Sequence, residues 1–438
     1  MFNVQIINKK KRRNNLLDLS LIVNREYRTV LKINPYNCFT KFIFDPIPSS
    51  LDILYFTSII YSIDKLIPRS KSNDNWSRDI NVVIPVSDVL SWENAKEDLK
   101  NALNFLTSDN WNLSFSKVKR PYFQKQRNTL PLNANIDHIC LFSGGLDSLA
   151  GGIDLANEKD NILFISHVDS TGASSIIQQP LLEKIKETYS NKYIEQSQFH
   201  IFADASNEAT TRGRSILFHG LALFHAMNLG VDKIIAPENG VISINLPLTP
   251  SRTCSNSTKT MHPYFLNEFQ KALTILDINI KIENPYLLKT KGEMLLENKN
   301  TDLIQELATQ TLSCSHGGGH TNGWFRSSYN CGYCIPCTIR RASIHKFNNS
   351  LDVGTDYGHD IGNGEVFLST HNDKKLDLLA LSYFLNRNLN YSQLKREVKL
   401  MANIDDVDNI TNMLIRGYQE IKEYINAKAD DNIKGLFH

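Results

Sequence analysis

Between residue 136 and about residue 300 the chain alternates short apolar runs with helical stretches, and no other feature restricts its fold as much. "IDHICLF", "NILFIS", "QFHIFA", "DKIIAP" and "NIKIE" read as strands, and intervening segments such as "RSILFHGLALFHAMNLG" read as helices. Strands joined through helices need crossover connections, and crossovers give parallel pairing with helices laid on the faces of the sheet. The expected fold class is α/β, with a doubly wound, mostly parallel, Rossmann-like sheet. Ligands of such sheets bind outside the carboxyl ends of the strands, so the residues that follow each run are the candidates for chemistry.

The flanks follow other patterns. Residues 1–125 mix short β-like runs such as "RDINVVIPV" with one amphipathic helix around 93–106, where Leu99, Ala102, Leu103 and Leu106 fall at i, i+3, i+4 and i+7. They are expected to form an amino-terminal α+β accessory domain. The Pro- and Asn-rich stretch at 121–137 reads as a linker. Residues 126–345 then form the central domain, and residues 346–438, after the loop "DVGTDYGHDIGNGE", a carboxyl-terminal helical cap. A chain of 438 residues, 41% of them apolar, can supply cores for all three. The formal net charge of +2 gives no electrostatic reason to expect nucleic acid or a membrane as a partner. The basic run at 9–13 lies between two apolar stretches that read as paired strands, which makes it a solvated hairpin turn. No apolar h-region follows it, and no stretch reaches the roughly 18 to 20 apolar residues of a membrane span, so a cytoplasmic location is expected.

The first run of the central series ends in Ser143-Gly144-Gly145-Leu146-Asp147-Ser148. Two glycines let the backbone take positive φ and approach an anion with no Cβ in the way. A helix starting near Asp147 would add unpaired amides and the positive end of its dipole, and Ser143 and Ser148 add hydroxyls. Asp147 repels a phosphate, which leaves it the roles of helix cap or Mg²⁺ ligand. The spacing fits neither G-x-x-x-x-G-K-[ST] nor G-x-G-x-x-G, and a strand-to-helix turn built for geometry alone is the competing reading.

Of seven cysteines, four crowd together as Cys314, Cys331, Cys334 and Cys337. Soft thiolates at this spacing favour tetrahedral Zn²⁺ in a closed structural site. His316 and His320 stand in the insert between the first and second cysteines, close enough in sequence to replace Cys314. Cys38, Cys140 and Cys254 stand alone and read as small buried hydrophobes.

"SGGLDS" resembles the SGGxDS signature of PP-loop ATP pyrophosphatases, enzymes of the HUP-type Rossmann-like fold. "RGRSILFHGLALFHAMNLGVDKIIAPENG" at 212–240, "NPYLLKTKGEML" at 284–295 and "TLSC…CGYCIPCTIRR" at the cysteines are similar to segments of the 7-cyano-7-deazaguanine synthases, the QueC-like proteins. The resemblance covers about 136–345. "LIPRSKSNDNWSRDINVVIPV" resembles the extra amino-terminal domain of the Qat-type QueC-like proteins of bacterial anti-phage operons.

The resemblance implies ATP, Mg²⁺ and Zn²⁺, and adenylation of 7-carboxy-7-deazaguanine followed by attack of an amine to give an amide or nitrile. It further implies a protein partner from the same operon, the amine being either ammonia, as in the queuosine enzymes, or one that belongs to this partner. Ser143, Gly144, Gly145, Leu146, Asp147 and Ser148 would hold the nucleotide, with His167, Arg212 and Arg340 beside them. Asp147, Ser148, Arg214 and Lys291 would carry catalysis, the cations neutralising charge on the departing pyrophosphate. Glu238 and Arg252 would bind the deazaguanine, and Asp169 and Ser170 could meet adenosine. Two loops depart from the family, "SHVDSTGASS" at 166–175 and "LTPSRTCSNSTK" at 248–259, and both fall where substrate is expected. A nucleotide-binding scaffold without catalysis and another PP-loop enzyme, such as a tRNA thiolase, are the alternatives.

Overall fold

The computed structural model describes residues 1–13, 16–35, 38–43, 45–124, 135–168, 173–203, 205–208, 212–249, 259–315, 330–363, 373–401 and 404–437. Ten strands form one sheet: β1 (Phe2–Arg13), β2 (Leu16–Val23), β3 (Tyr27–Asn34), β4 (Asp79–Val86), β5 (Asn110–Lys117), β6 (His138–Leu141), β7 (Ile162–Val168), β8 (Ile194–Ala203), β9 (Lys233–Ile235) and β10 (Lys281–Glu283). Their order is β10-β9-β6-β7-β8-β3-β2-β1-β4-β5. Pairing is antiparallel within the meander β1–β2–β3 and between β3 and β8, and parallel everywhere else. The α/β class and the mostly parallel sheet expected from the alternating runs are present, and each of the five quoted runs overlaps a strand.

Of the central strands, β6 and β7 are mostly apolar, whereas β8 carries Glu195, Gln196, Ser197, Gln198 and His200. Every residue of β7 is buried, as expected for a strand in the middle of a parallel sheet. The amino-terminal strands do not build a sheet of their own: β3 pairs along β8 from Leu31 with Ala203 to Asn34 with His200. One hydrophobic core accordingly takes residues from both regions, Leu19 and Ile53 as well as Phe199 and Leu221. Helix Pro48–Leu66 packs against helix Arg214–Leu229 so closely that a Cβ on Gly220 would lie 1.9 Å from the Thr57 hydroxyl.

The amphipathic helix expected around 93–106 is Lys96–Thr107, with Leu99, Ala102, Leu103 and Leu106 all buried. It and the preceding helix Val89–Asn94 also guard the edge strand β5, because Asn104 accepts the Trp111 amide and Glu93 the Phe115 amide, each at 2.9 Å. Side chains thus satisfy backbone donors that would otherwise invite another strand. The basic run at 9–13 is the end of β1 rather than the turn itself, and the turn lies outside the described residues. Helices Asp373–Asn386, Tyr391–Met401 and Val407–Lys428 form the carboxyl-terminal helical region, and their apolar faces share a core with Val241, Ile244 and the cysteines 331, 334 and 337. No described helix is long and apolar enough to cross a membrane.

From β6 the chain steps to β7 and β8 on one side, then returns to place β9 and β10 on the other. The reversal makes the carboxyl ends of β6 and β9 the crevice where ligands of doubly wound sheets bind.

Candidate functional site

At the end of β6 the backbone turns through Ser143-Gly144-Gly145 into helix Leu146–Glu158. Gly144 has φ +82°, and a Cβ there would sit 3.1 Å from Gln178 Cγ, so both conformation and space call for glycine. The loop is tied shut by its two serines: the hydroxyls are 3.2 Å apart, the Ser143 amide donates to Ser148 Oγ, and Ser148 Oγ donates to the Gly145 carbonyl. Gln178, from helix Ala173–Thr188, donates to the carbonyls of Ser143 and His167 and so joins the ends of β6 and β7. The N-cap residue Gly145 has no side chain to cap the helix, so apart from the Leu146 amide, taken by Ser313 Oγ, the first turn presents its amide end and the positive end of its dipole to the crevice.

Asp147 in the first turn joins three separate segments. Its Oδ2 accepts the Asn239 side-chain amide at 2.8 Å, and its Oδ1 lies 3.4 Å from Lys291 Nζ. Lys291 is only 5% exposed, so the pair has little water to screen it. Asn239 also caps helix Gly240–Ile244 just beyond β9, accepting the Ile242 amide. Lys291 opens helix Lys291–Leu296, whose capping box is Thr290 with Glu293.

Glu238 sits between β9 and Asn239. Its carboxyl accepts the Ser243 hydroxyl at 3.2 Å, and its backbone carbonyl accepts Asn284 Nδ2 at 2.7 Å. Burial, then the nearby charge of Asp147, pushes it up to about 8. It is therefore largely protonated at neutral pH, whereas the sequence suggested a ready carboxylate acceptor.

The remaining cations divide. Arg214 is partly exposed, with its guanidinium 5.4 Å from the Phe218 ring, and the buried His167 packs edge-on against Tyr61 and the same Phe218. Arg212 is buried, donates to the Thr107 carbonyl at 2.7 Å and stacks 4.8 Å over Trp76. Burial, with Arg69 beside it, lowers it to about 10. Arg340 is buried, donating to Tyr357 Oη at 2.6 Å and to the carbonyls of Ala308 and Thr309. The structure brings together 143–148, Glu238 and Lys291, gathers Arg214 with His167, and turns Arg212 and Arg340 toward protein partners. Arg252, Asp169, Ser170, His316 and His320 lie outside the described residues.

The four cysteines do converge. The sulfurs of Cys314, Cys331, Cys334 and Cys337 all lie within 4.8 Å of one another. The Cys314–Cys334 and Cys331–Cys337 sulfur pairs stand 3.9 and 3.8 Å apart. A tetrahedral ion with bonds of about 2.3 Å to sulfur needs sulfurs about 3.8 Å apart, so the set fits a metal such as zinc. The amides of Cys331 and Cys334 point at the sulfurs of Cys314 and Cys331, both at 3.3 Å. Gly332, at φ +88°, makes the turn between them, where a Cβ would lie 2.2 Å from the His359 carbonyl oxygen. The hydrogen bond from Cys331 leads in holding the Cys314 thiol down to about 7, favouring the thiolate a metal needs.

The cluster is physically joined to the Ser-Gly-Gly loop. The Leu312 amide donates to the Gly144 carbonyl at 3.0 Å, and Ser313 Oγ accepts the Leu146 amide at 3.2 Å. Ser313, Asn239 and Gln178 were not singled out in the sequence. Asn239 had a signal, an Asn one residue before the run "VISI" and just beyond a strand, while the other two are set by tertiary contacts alone. No family model matches the chain, and no curated protein matches it.

Proposed function

We propose that the chain is a PP-loop ATP pyrophosphatase that adenylates the carboxylate of a 7-deazaguanine, 7-carboxy-7-deazaguanine, and passes the acyl group to an amine. The observation that carries this reading is the Asp147–Lys291 pair, its lysine buried, set against the start of helix Leu146–Glu158 at the topological switch point. A substrate carboxylate oxygen attacks the α-phosphorus of ATP, the bond to the bridging oxygen breaks, and pyrophosphate leaves with the electron pair. Amine nitrogen then attacks the acyl carbon, AMP leaves and a proton is lost, giving the amide. Where the amine is ammonia, a second adenylation, of the amide oxygen, would let AMP leave with that oxygen as the remaining N–H protons are lost, giving the nitrile.

In this assignment the amides of 144–148 and the hydroxyls of Ser143 and Ser148 hold the terminal phosphates. Lys291 and Arg214 offset the charge that develops on pyrophosphate. Asp147 would hold Mg²⁺, which when bound polarises the phosphate oxygens. Glu238 meets the donor edge of the deazaguanine after releasing its proton. Arg212 and Arg340 support the site from behind, because their donors are engaged elsewhere. The four cysteines hold Zn²⁺ in a closed structural site. The likeness of the amino-terminal region to Qat-type proteins supports a cytoplasmic role in anti-phage defence, with a protein amine as acceptor.

The test is pyrophosphate release from ATP and Mg²⁺ in the presence of 7-carboxy-7-deazaguanine. Asp147→Ala and Lys291→Ala should each lower it about 100- to 1,000-fold, the scale of removing a charge partner of a transition state, with circular dichroism unchanged. Undiminished release in Asp147→Ala refutes the site. Absence of release from the wild type with any planar heterocyclic carboxylate refutes the activity.

A further inference from the structure

Lys291 opens a helix of only six residues, Lys291–Leu296. So short a helix does not hold its first turn in place by its own hydrogen bonds. Its internal capping box uses the Thr290 hydroxyl and the Glu293 carboxylate, but a second carboxylate reaches the same turn from far along the chain. Glu420, in the middle of helix Val407–Lys428, accepts the Gly292 amide on Oε2 at 3.3 Å. Its Oε1 accepts the Thr290 hydroxyl and pairs with Lys346 Nζ at 2.8 Å.

Glu420 is only 6% exposed. A buried carboxylate is costly unless donors surround it, and these donors belong to the two residues flanking Lys291 and to Lys346. A Cβ at position 292 would lie 2.9 Å from both Glu420 Oε2 and Lys346 Cδ, so any side chain there must displace the end of one or the other. Three residues earlier on the long helix, Gly417 lets it settle against helix Gly240–Ile244, where a Cβ would lie 2.3 Å from Val241 Cγ2. That short helix begins at Asn239, the other partner of Asp147. One carboxyl-terminal helix thus backs both residues that hold Asp147.

We propose that Glu420 is a positioning residue, which fixes the turn at 290–292 so that Lys291 Nζ stays against Asp147. The functional weight of this rests on the reading of Lys291 as a nucleotide cation, while the geometric claim does not. If Glu420 served only to attach the long helix, its removal would leave Lys291 where it is.

The experiment uses the full-length chain. Competitive labelling with acetic anhydride, read by mass spectrometry against the exposed Lys271, measures access to Lys291, and titration with a non-hydrolysable ATP analogue and Mg²⁺ measures affinity. Glu420→Ala should raise Lys291 labelling about fivefold or more and weaken the analogue about tenfold, the scale of a lost charged hydrogen bond. In a Lys291→Ala background the same change should alter affinity less than about twofold, because residues that act through one another are not additive. Glu420→Gln, which keeps an acceptor for the Gly292 amide, should restore most of the protection. Gly292→Ala, which pushes the carboxylate off the turn from the other side, should expose Lys291 even where Glu420→Ala folds poorly. Unchanged labelling in Glu420→Ala and Gly292→Ala, a glutamine no better than alanine, or an undiminished effect without Lys291 would each overturn the proposal. A wild type that does not bind the analogue while labelling still responds to Glu420→Ala would refute the nucleotide reading and leave Glu420 positioning Lys291.

Discussion

Glu238 is the site residue whose chemistry depends most on what surrounds it. An ordinary glutamate titrates near 4.5, and burial beside Asp147 takes this one to about 8. Between those values the folded chain keeps a proton that the unfolded chain has lost, so this residue makes stability fall as pH rises. Buried His219, His225 and His262 act in the opposite sense. Desolvation lowers them to about 4, 4 and 3 from 6.5, so they stay neutral in the fold and stability is lost as pH falls below 6.5. From pH 6.5 to 8 the buried histidines contribute little, and comparison with Glu238→Gln separates Glu238 from Cys314, whose thiol also titrates there with the opposite sign. Across this window the wild type should lose stability relative to Glu238→Gln, as measured by urea midpoints at each end. Parallel curves would show that the carboxyl is already ionised at neutral pH. The same proton explains a second expectation: if the carboxylate accepts a donor edge, binding expels the proton and affinity rises with pH up to about 8.

Among the elements, the join between the helix Pro48–Leu66, β4 and β5 is made by charge as well as by apolar packing. Arg78, fully buried just before β4, donates to both carboxylates of Asp64 and Asp109 and to the carbonyls of Asp64 and Ile67, and Arg69 bridges the same two acids. Asp64 also accepts the Gly213 amide at 2.7 Å, between Arg212 and Arg214, so the cluster fixes the turn that carries them. Removing one partner of such a network strands the others in low dielectric, and Arg78→Met should cost about 3 to 5 kcal/mol. Denaturant unfolding of the purified variant measures this, and a loss below about 1 kcal/mol would mean that water reaches the cluster. None of it was legible in the sequence. "RSKSNDNWSRD" looks like a polar surface loop, because local pattern reports polarity while burial of a charge is decided by partners tens of residues away. The amphipathic helix at 96–107 was legible for the converse reason, since its periodicity is itself the record of which face is buried, and the strands β6 to β10 were legible as short apolar runs set between helical stretches. The pairing of β3 with β8, which merges the amino-terminal strands into the central sheet, left no such record.

At the scale of the molecule, three distant parts of the chain meet behind one loop. The cysteine cluster shares its core with the carboxyl-terminal helices, including Leu381, Met413 and Tyr424. The segment that leads into Cys314 hydrogen-bonds the Ser-Gly-Gly turn through Leu312 and Ser313. The sequence disclosed both ends of this connection, the cysteine spacing and the glycine turn, but not that adjacent residues 312 to 314 belong to both. A metal at a site of this kind adds its binding energy to folding, so stripping it should loosen the segment at 312–314 and, through two hydrogen bonds, the start of helix Leu146–Glu158. Hydrogen exchange with and without a thiol-competing chelator can follow the two places separately. The amides at 331–337 should lose protection first, and those of Leu146 and Leu312 should exchange at least about tenfold faster than in the metal-loaded chain. Opening of 331–337 with Leu146 and Leu312 still protected would mean that the cluster braces only the carboxyl-terminal core. Coupled opening would make metal occupancy a condition for an ordered anion loop, and affinity for the ATP analogue would then fall with metal content at constant helix content.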